Sequence, residues 1–172
     1  EITEMVLTGK VNKSIVNLIN SAGGKAIELS GKDGNMIKGE KIDPKKLGHA
    51  GKITRINPDP ILSAINENYI PVISSIGFDS NNESLNINAD FVASEIAKSL
   101  KAEKLIYLSN VEGIMENEKL IKQINTNDVQ DLINNSIIKE GMLPKIQSCI
   151  AAINTGVKNV HIISGNILHS IL

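Results

Sequence analysis

With 172 residues, the chain has the size of one ordinary domain or of two small lobes sharing a sheet. It is 41% hydrophobic yet only 2% aromatic, with 29 Ile, 20 Asn and 17 Lys against the single Arg55, so the core must be aliphatic and base-stacking platforms are not expected. A net charge of −1 leaves no electrostatic footprint for nucleic acid or a membrane surface, no apolar run approaches the roughly 20 residues that cross a bilayer, and the lone Cys149 excludes an intrachain disulfide framework and fits a reducing, cytoplasmic compartment.

Residues 2–20 read as one amphipathic helix, because Met5, Leu7, Val11, Ile15, Leu18 and Ile19 recur near helical spacing and Gly23-Gly24 ends the pattern. Residues 25–29 alternate like a short strand. Lys32-Asp33-Gly34-Asn35 carries a hairpin-type turn signal, with Met36-Ile37 opening the returning strand. Residues 40–51 are polar and Gly-bearing and read as a loop. Ile53 and Ile56 mark a strand before a helix that Asn57 caps, with Pro58 at its first position and Ile61, Leu62 and Ile65 on its buried face. Residues 69–76 form a near-continuous apolar run, as in buried parallel strands, and 80–83 form a polar turn. Residues 84–88 alternate again, and 90–100 are helical with Ala93, Ile96, Ala97 and Leu100 on one side. A second buried-type strand spans 104–108, followed by a connection with a short hairpin at Asn117-Glu118. Helices over 126–135 and 144–155, a strand over 159–163 and the start of a helix at 166 complete the chain. This alternation predicts an α/β fold with a mainly parallel sheet, helices on both faces and an antiparallel part near residue 33.

Three stretches can carry chemistry. In Leu85-Asn86-Ile87-Asn88-Ala89-Asp90, period-2 alternation sends Asn86 and Asn88 to one face at a strand's C-terminal end, where open α/β sheets bind ligands. The same residues also fit turn formers, with Asp90 as a helix cap. In Gly141-Met142-Leu143-Pro144-Lys145, Pro144 opens a helix and Lys145 falls in its first turn, against the dipole's preference. Orphan N–H groups beside an ammonium suit a phosphate, although an exposed lysine tolerated at modest cost fits as well. In Leu108-Ser109-Asn110-Val111-Glu112-Gly113-Ile114, a small polar segment follows a strand and could line a nucleotide or simply turn. The chain has no Walker loop, G-x-G-x-x-G, H-E-x-x-H or G-x-S-x-G pattern, and no metal centre is expected from its three scattered His. Cys149, on the inward side of its helix near Ile146, Ile150 and Ile153, reads as a small buried hydrophobe.

Taken together, the motifs resemble the acetylglutamate kinase branch of the amino-acid kinases. The resemblance rests on Glu4–Lys13, Leu29-Ser30-Gly31-Lys32-Asp33-Gly34, Gly48-His49-Ala50-Gly51, Ile70-Pro71-Val72-Ile73, Asn86-Ile87-Asn88-Ala89-Asp90, Ala102–Ile106, Gly141–Lys145 and Val160-His161-Ile162-Ile163, in order and spacing over essentially the whole chain. It implies a three-layer α/β/α sandwich. It also implies transfer of a phosphoryl group from ATP, with Mg2+, to the side-chain carboxylate of N-acetyl-L-glutamate in arginine biosynthesis. By motif, Lys145 resembles the lysine that stabilises the transferring group, and Asp90 the aspartate that orients the catalytic lysines. Asn86, with Asn88 beside it, resembles the substrate-binding asparagine. Ser109, Asn110, Gly113, Ile114 and Met115, with 137–139 and Met142, resemble the nucleotide surface. Asn110 stands where the family usually has Asp, and so lacks its charge.

On this resemblance, residues 1–101 correspond to the remainder of the acetylglutamate-binding and dimerisation lobe, and 102–172 to the nucleotide-binding lobe of one continuous sheet. The resemblance also implies a homodimer or larger homo-oligomer, since the equivalent opening helix contributes to a dimer. The family's initial lysine-bearing strand, second glycine loop and substrate-gripping arginine have no counterpart here; Lys10 and Lys13 lie on a helix, and Arg55 has another context. The expectation is therefore a fragment, inactive alone. Two other readings share the fold: a kinase acting on acetylaminoadipate or its carrier-linked form, and a non-catalytic amino-acid or nucleotide sensor. The joint presence of Asn86, Asp90 and Lys145 weighs against the sensor.

Overall fold

The opening helix is continuous but not uniform. In the computed structural model, which describes residues 1–111, 113–117, 119–138 and 140–168, α1 (Ile2–Glu4) runs through a π-helical stretch, Met5–Asn12, into α2 (Lys13–Ser21). Hydrogen bonding from i to i+5 rotates the downstream turns. The more protected positions are accordingly Leu7, Asn12, Val16 and Ile19, while Met5 and Leu18 stay 70% and 68% exposed. An even helical stripe does not anticipate this. The π stretch turns Asn12 inward, where its Nδ2 donates to the carbonyls of Leu29 (3.3 Å) and Val72 (3.2 Å). A buried amide is thereby given partners. Gly23, at φ +89°, follows the helix end as expected.

β1 (Ala26–Leu29) pairs in parallel with β4 (Ile70–Ile73), not with the strand that follows it. The hairpin expected at residue 33 does not form. Asp33 instead accepts from the Ser30 N–H (2.6 Å), and Asp33–Asn35 close a 3-10 turn with Gly34 at φ +55°. The turn carries the chain into a second sheet. There β2 (Ile37–Lys41), β3 (Ala50–Ile56), β5 (Ile76–Phe78) and β6 (Ser84–Ile87) close a small barrel in the order β2-β3-β6-β5. The antiparallel pairing lies within that barrel, in β2–β3 and β5–β6.

Two further expectations change for local reasons. Residues 40–51 are not a loop: Asp43 accepts from the N–H groups of Lys45 and Lys46 and caps a helical turn, α3 (Pro44–Leu47), between β2 and β3. The apolar run 69–76 is shared by two sheets. Ser74 N–H still bonds Leu29 O (3.0 Å), but Ile76 has joined the barrel, where its carbonyl accepts from Gly31 N–H (2.8 Å). A Cβ on Gly31 would lie 2.2 Å from that carbonyl, so only glycine allows the approach. α4 (Asp59–Asn66) starts one residue later than expected, with Asn57 Oδ1 accepting from Asp59 N–H (3.3 Å). Its buried face is Ile61 and Ala64, while Leu62 and Ile65 are exposed. α5 (Ala89–Ser99) follows β6 and buries Val92, Ser94 and Ala97. Met36, Ile37, Ile61, Leu85, Ile87 and Val92 form one aliphatic core.

Glu4 fastens the first helix to this unit. It pairs with Lys32 (2.8 Å) beside the 3-10 turn and accepts from Ser84 Oγ (2.6 Å) at the start of β6. The Lys32 hydrogen bond, then that of Ser84, holds its carboxyl below the ordinary 4.5. A depressed folded-state value means this contribution is complete above pH 4.5 and is lost as pH falls through the folded-state value. Urea titrations of wild type and Glu4→Gln are therefore expected to differ by a constant amount near neutrality. The difference should shrink on acidification below pH 4.5. A difference independent of pH would remove Glu4 from this role.

The chain divides into two compact units, Glu1–Leu100 and Lys101–Leu172. In the second, β7 (Lys104–Ser109) pairs in parallel with β10 (Asn159–Ser164) along its whole length. β7 is not buried on both faces: Tyr107 is inside, while Ile106 and Leu108 are exposed. The hairpin at Asn117 forms between β8 (Met115–Glu116) and β9 (Lys119–Leu120), with Asn117 at φ +47°; Glu118 lies outside the described residues. α6 (Val129–Asn134) and α7 (Leu143–Asn154) supply Val129 and Ile146 to a core with Ile114 and Ile138. The helix expected from 166 falls largely on 169–172, outside the described residues; 165–168 are turn and bend. Helices and parallel strand pairs in both units make this an α/β fold.

Candidate functional site

In the first unit, Leu85 and Ile87 point into the core and the alternate residue, Asn86, is exposed. The backbone of Asn86 is clamped between β3 and β5: its N–H donates to His49 O (2.9 Å), and it lies opposite Ala50 and Ile76. Its amide is thus presented from a fixed strand end. Asn88 has a local task as well. Its Oδ1 accepts from Asp90 N–H (2.9 Å) and Phe91 N–H (3.4 Å) and caps α5. Asp90 is half-buried in the first turn, where the helix dipole favours a carboxylate. Asn86, Asn88 and Asp90 therefore sit together where β6 passes into α5. Asn88→Ala is expected to lower stability by about 1 kcal/mol, the usual worth of an N-cap, while Asn88→Ser keeps most of it. Thermal melts of the two variants check this.

In the second unit, the ends of β7 and β10 form a polar rim. Gly165 N–H donates to Ser109 O (2.8 Å), Asn166 Nδ2 donates to Asn110 O (3.4 Å), and Val111 N–H donates to Ser109 Oγ (3.4 Å). These are C-terminal ends of parallel strands, where α/β proteins place ligands. Gly113 adopts φ +146°, which side chains disfavour, and a Cβ there would lie 2.8 Å from Leu120 Cδ1 and push that side chain aside. Of its successors, Ile114 is committed to the core and Met115 is exposed. Ile137 and Met142 pack against the same core, and Lys139 lies outside the described residues.

Lys145 is in the first turn of α7, as the sequence predicts. Met142 occupies the N-cap and makes no side-chain cap hydrogen bond. The lysine crosses to β7: its Nζ is 4.9 Å from the centre of the Tyr107 ring, and Tyr107 is only 4% exposed. Sequence reading missed this pairing, and also the Gly165–Asn166 contacts. Period 2 does put Tyr107 on the same strand face as Ser109, but which side chain meets that ring is decided by packing of α7. Cys149 is half-buried, not buried as expected, and lines a cleft of about 600 Å³ whose wall mixes Ile146, Ile150 and Ile153 with Lys122, Lys158 and His161. Among the described residues, no three His, Cys, Asp or Glu side chains gather to hold a metal ion, and no helix is long and apolar enough to cross a membrane.

The sequence pattern of the amino acid kinase family matches residues 1–164. The chain belongs to that family. Over its whole length it is 49% identical to acetylglutamate kinase of Kosmotoga olearia and 50% identical to that of Clostridium kluyveri. It spans 61% and 62% of the length of those two curated relatives. The solved structure of smu.665 from Streptococcus mutans superposes with a TM-score of 0.87 at 32% identity, over 95% of this chain and 66% of that one.

Proposed function

We propose that this chain is part of an acetylglutamate kinase. In the reaction, a carboxylate oxygen of N-acetyl-L-glutamate attacks the γ-phosphorus of ATP, the bond to the β,γ-bridging oxygen breaks, and ADP leaves with that electron pair. The observation that carries the reading is the end-to-end similarity to acetylglutamate kinases. A side-chain carboxylate with pKa about 4.3 is already ionised at neutral pH, so the nucleophile needs no base. What remains is positioning and charge stabilisation.

The proposed roles follow the chemistry of each group. Lys145 and the first N–H groups of α7 meet the transferring phosphoryl group. Asp90 takes the orienting role that its motif implies, and Asn86 with Asn88 binds the acetylglutamate. Ser109, Asn110, Gly113, Met115 and Met142 form the nucleotide surface, with Ile114 anchoring it from the core beneath; Mg2+ enters as part of the substrate MgATP. Residues 1–101 serve substrate binding and dimerisation, and 102–172 nucleotide binding. A homodimer through the first helix is supported by Ile2, Met5 and Leu18, which are 80%, 70% and 68% exposed.

The test traps acyl phosphate with hydroxylamine. It uses a polypeptide carrying this chain with the segments by which its relatives exceed it, and this chain alone in parallel. With MgATP, hydroxamate is expected from the longer polypeptide on N-acetyl-L-glutamate. Hydroxamate only on acetylaminoadipate, or none from a well-folded protein, would overturn the reading.

A further inference from the structure

We infer that Tyr107 is a positioning residue for Lys145, acting through the face of its ring. The inference rests on the kinase reading for its functional consequence, but not for its geometry. Tyr107 belongs to β7, whose register with β10 is continuous from Lys104 to Ser109, so its backbone is fixed. Its ring is 4% exposed and lies in place before any ligand arrives. The Lys145 ammonium is 4.9 Å from the ring centre, within the about 6 Å over which an aromatic quadrupole attracts a cation.

A lysine has a flexible four-carbon stem and loses much freedom when it is held. In the first turn of α7 it is also opposed by the helix dipole. A ring face beneath the ammonium answers both difficulties. It favours one direction of the side chain, toward β7 and the rim that Ser109 ends, and it attracts the charge that the dipole repels. The ring is neutral, so its attraction does not cancel the charge that a phosphate would meet. A carboxylate in place of the ring would compete with the phosphate for the lysine. An aliphatic residue would fill the space without directing the lysine.

The chain contains its own control. Lys25 Nζ stands 4.1 Å from the centre of the Tyr69 ring, in the other unit and remote in sequence from Asn86, Asp90 and Lys145. Lys25 and Lys145 should therefore carry ring-shifted ε-methylene protons, displaced upfield of the ordinary lysine position in spectra of chain labelled at lysine. Tyr107→Leu is expected to return the Lys145 signal to the main group and leave that of Lys25 in place. Tyr69→Leu should do the reverse, and Tyr107→Phe should keep both shifts. In the longer polypeptide, Tyr107→Leu is expected to lower kcat about tenfold with KM for ATP changed less than about threefold, and Tyr107→Phe to restore kcat. Should Tyr107→Leu fail to fold, phenylalanines with increasing ring fluorination at position 107 keep the shape and weaken the quadrupole, and kcat should fall stepwise with fluorine number.

An unshifted Lys145 signal in the wild type overturns the inference, whatever the activity. So does a Tyr107→Phe enzyme as impaired as Tyr107→Leu, or a fluorine series with constant kcat. A shifted signal in a protein that makes no acyl phosphate would leave the geometry standing and dismiss the kinase reading instead.

Discussion

On the proposed kinase reading, Lys145→Ala in the longer polypeptide is expected to lower kcat for acyl phosphate formation by about 100- to 1,000-fold, the usual loss when one charge stabiliser is removed from a transition state. The lysine occupies an unfavourable position. A cation in the first turn of a helix opposes the macrodipole, and Lys145 stands in the first turn of α7 behind a methionine that cannot cap it. Phosphate reverses the sign: N–H groups and the ammonium then attract the same oxygens. The effect should appear in kcat more than in KM for N-acetyl-L-glutamate, because negative charge on the transferring oxygens matters most in the transition state. Lys145→Arg retains charge but presents a planar fork, and recovers only part of the rate. Steady-state rates of hydroxamate formation, with melts to establish that each variant is folded, check this. An alanine variant within a few-fold of wild type would remove Lys145 from the chemistry.

How much of this could be read from the sequence depended on how local the cause was. Residues 84–90 were legible because each role there is set within a few residues: Leu85 and Ile87 inward, Asn86 outward, Asn88 bonded to Asp90 and Phe91. The start of α7 was legible for the same reason, since Pro144 marks it. Where the sequence misled, the deciding partner was distant. The turn at Asp33 looks like a hairpin until Ile76 O engages Gly31 and the chain changes sheets. Asn12 looks like a polar interruption of a stripe until the carbonyls of Leu29 and Val72 are seen to need it. Tyr107 looks like one more strand aromatic until α7 lays Lys145 across it. The assignments of Asn86, Asn88, Asp90 and the nucleotide surface to substrates rest on motif and chemistry, whereas the capping by Asn88 rests on its own hydrogen bonds.

Leu85→Ala is expected to destabilise the first unit by about 2–5 kcal/mol. Leu85 has no exposed surface and fills the barrel beside two glycines. A Cβ on Gly51 would lie 2.9 Å from Leu85 Cβ and Cδ1, and one on Gly39 2.9 Å from Leu85 Cδ1. The glycines allow β2 and β3 to close over this side chain, and that reciprocity gives a second expectation. Gly51→Ala alone overpacks the barrel and costs about 1–3 kcal/mol. Combined with Leu85→Ala it should cost less than the sum, since the new methyl occupies space that Cδ1 has left. Rescue stays partial because an alanine in place of Leu85 retains the Cβ that the methyl meets. The Gly39 position offers less relief: with Cδ1 gone its Cβ still meets Lys52 O at 2.6 Å, so Gly39→Ala should couple to Leu85→Ala more weakly than Gly51→Ala does. Urea unfolding of the single and double variants measures the coupling. On the proposed role of Asn86, which follows Leu85 directly, the KM of the longer polypeptide for N-acetyl-L-glutamate should rise in Leu85→Ala and recover partly with Gly51→Ala. Equal additivity at both glycines would mean that the barrel relaxes around the cavity, and that Asn86 is held by its backbone pairing with β3 and β5 alone.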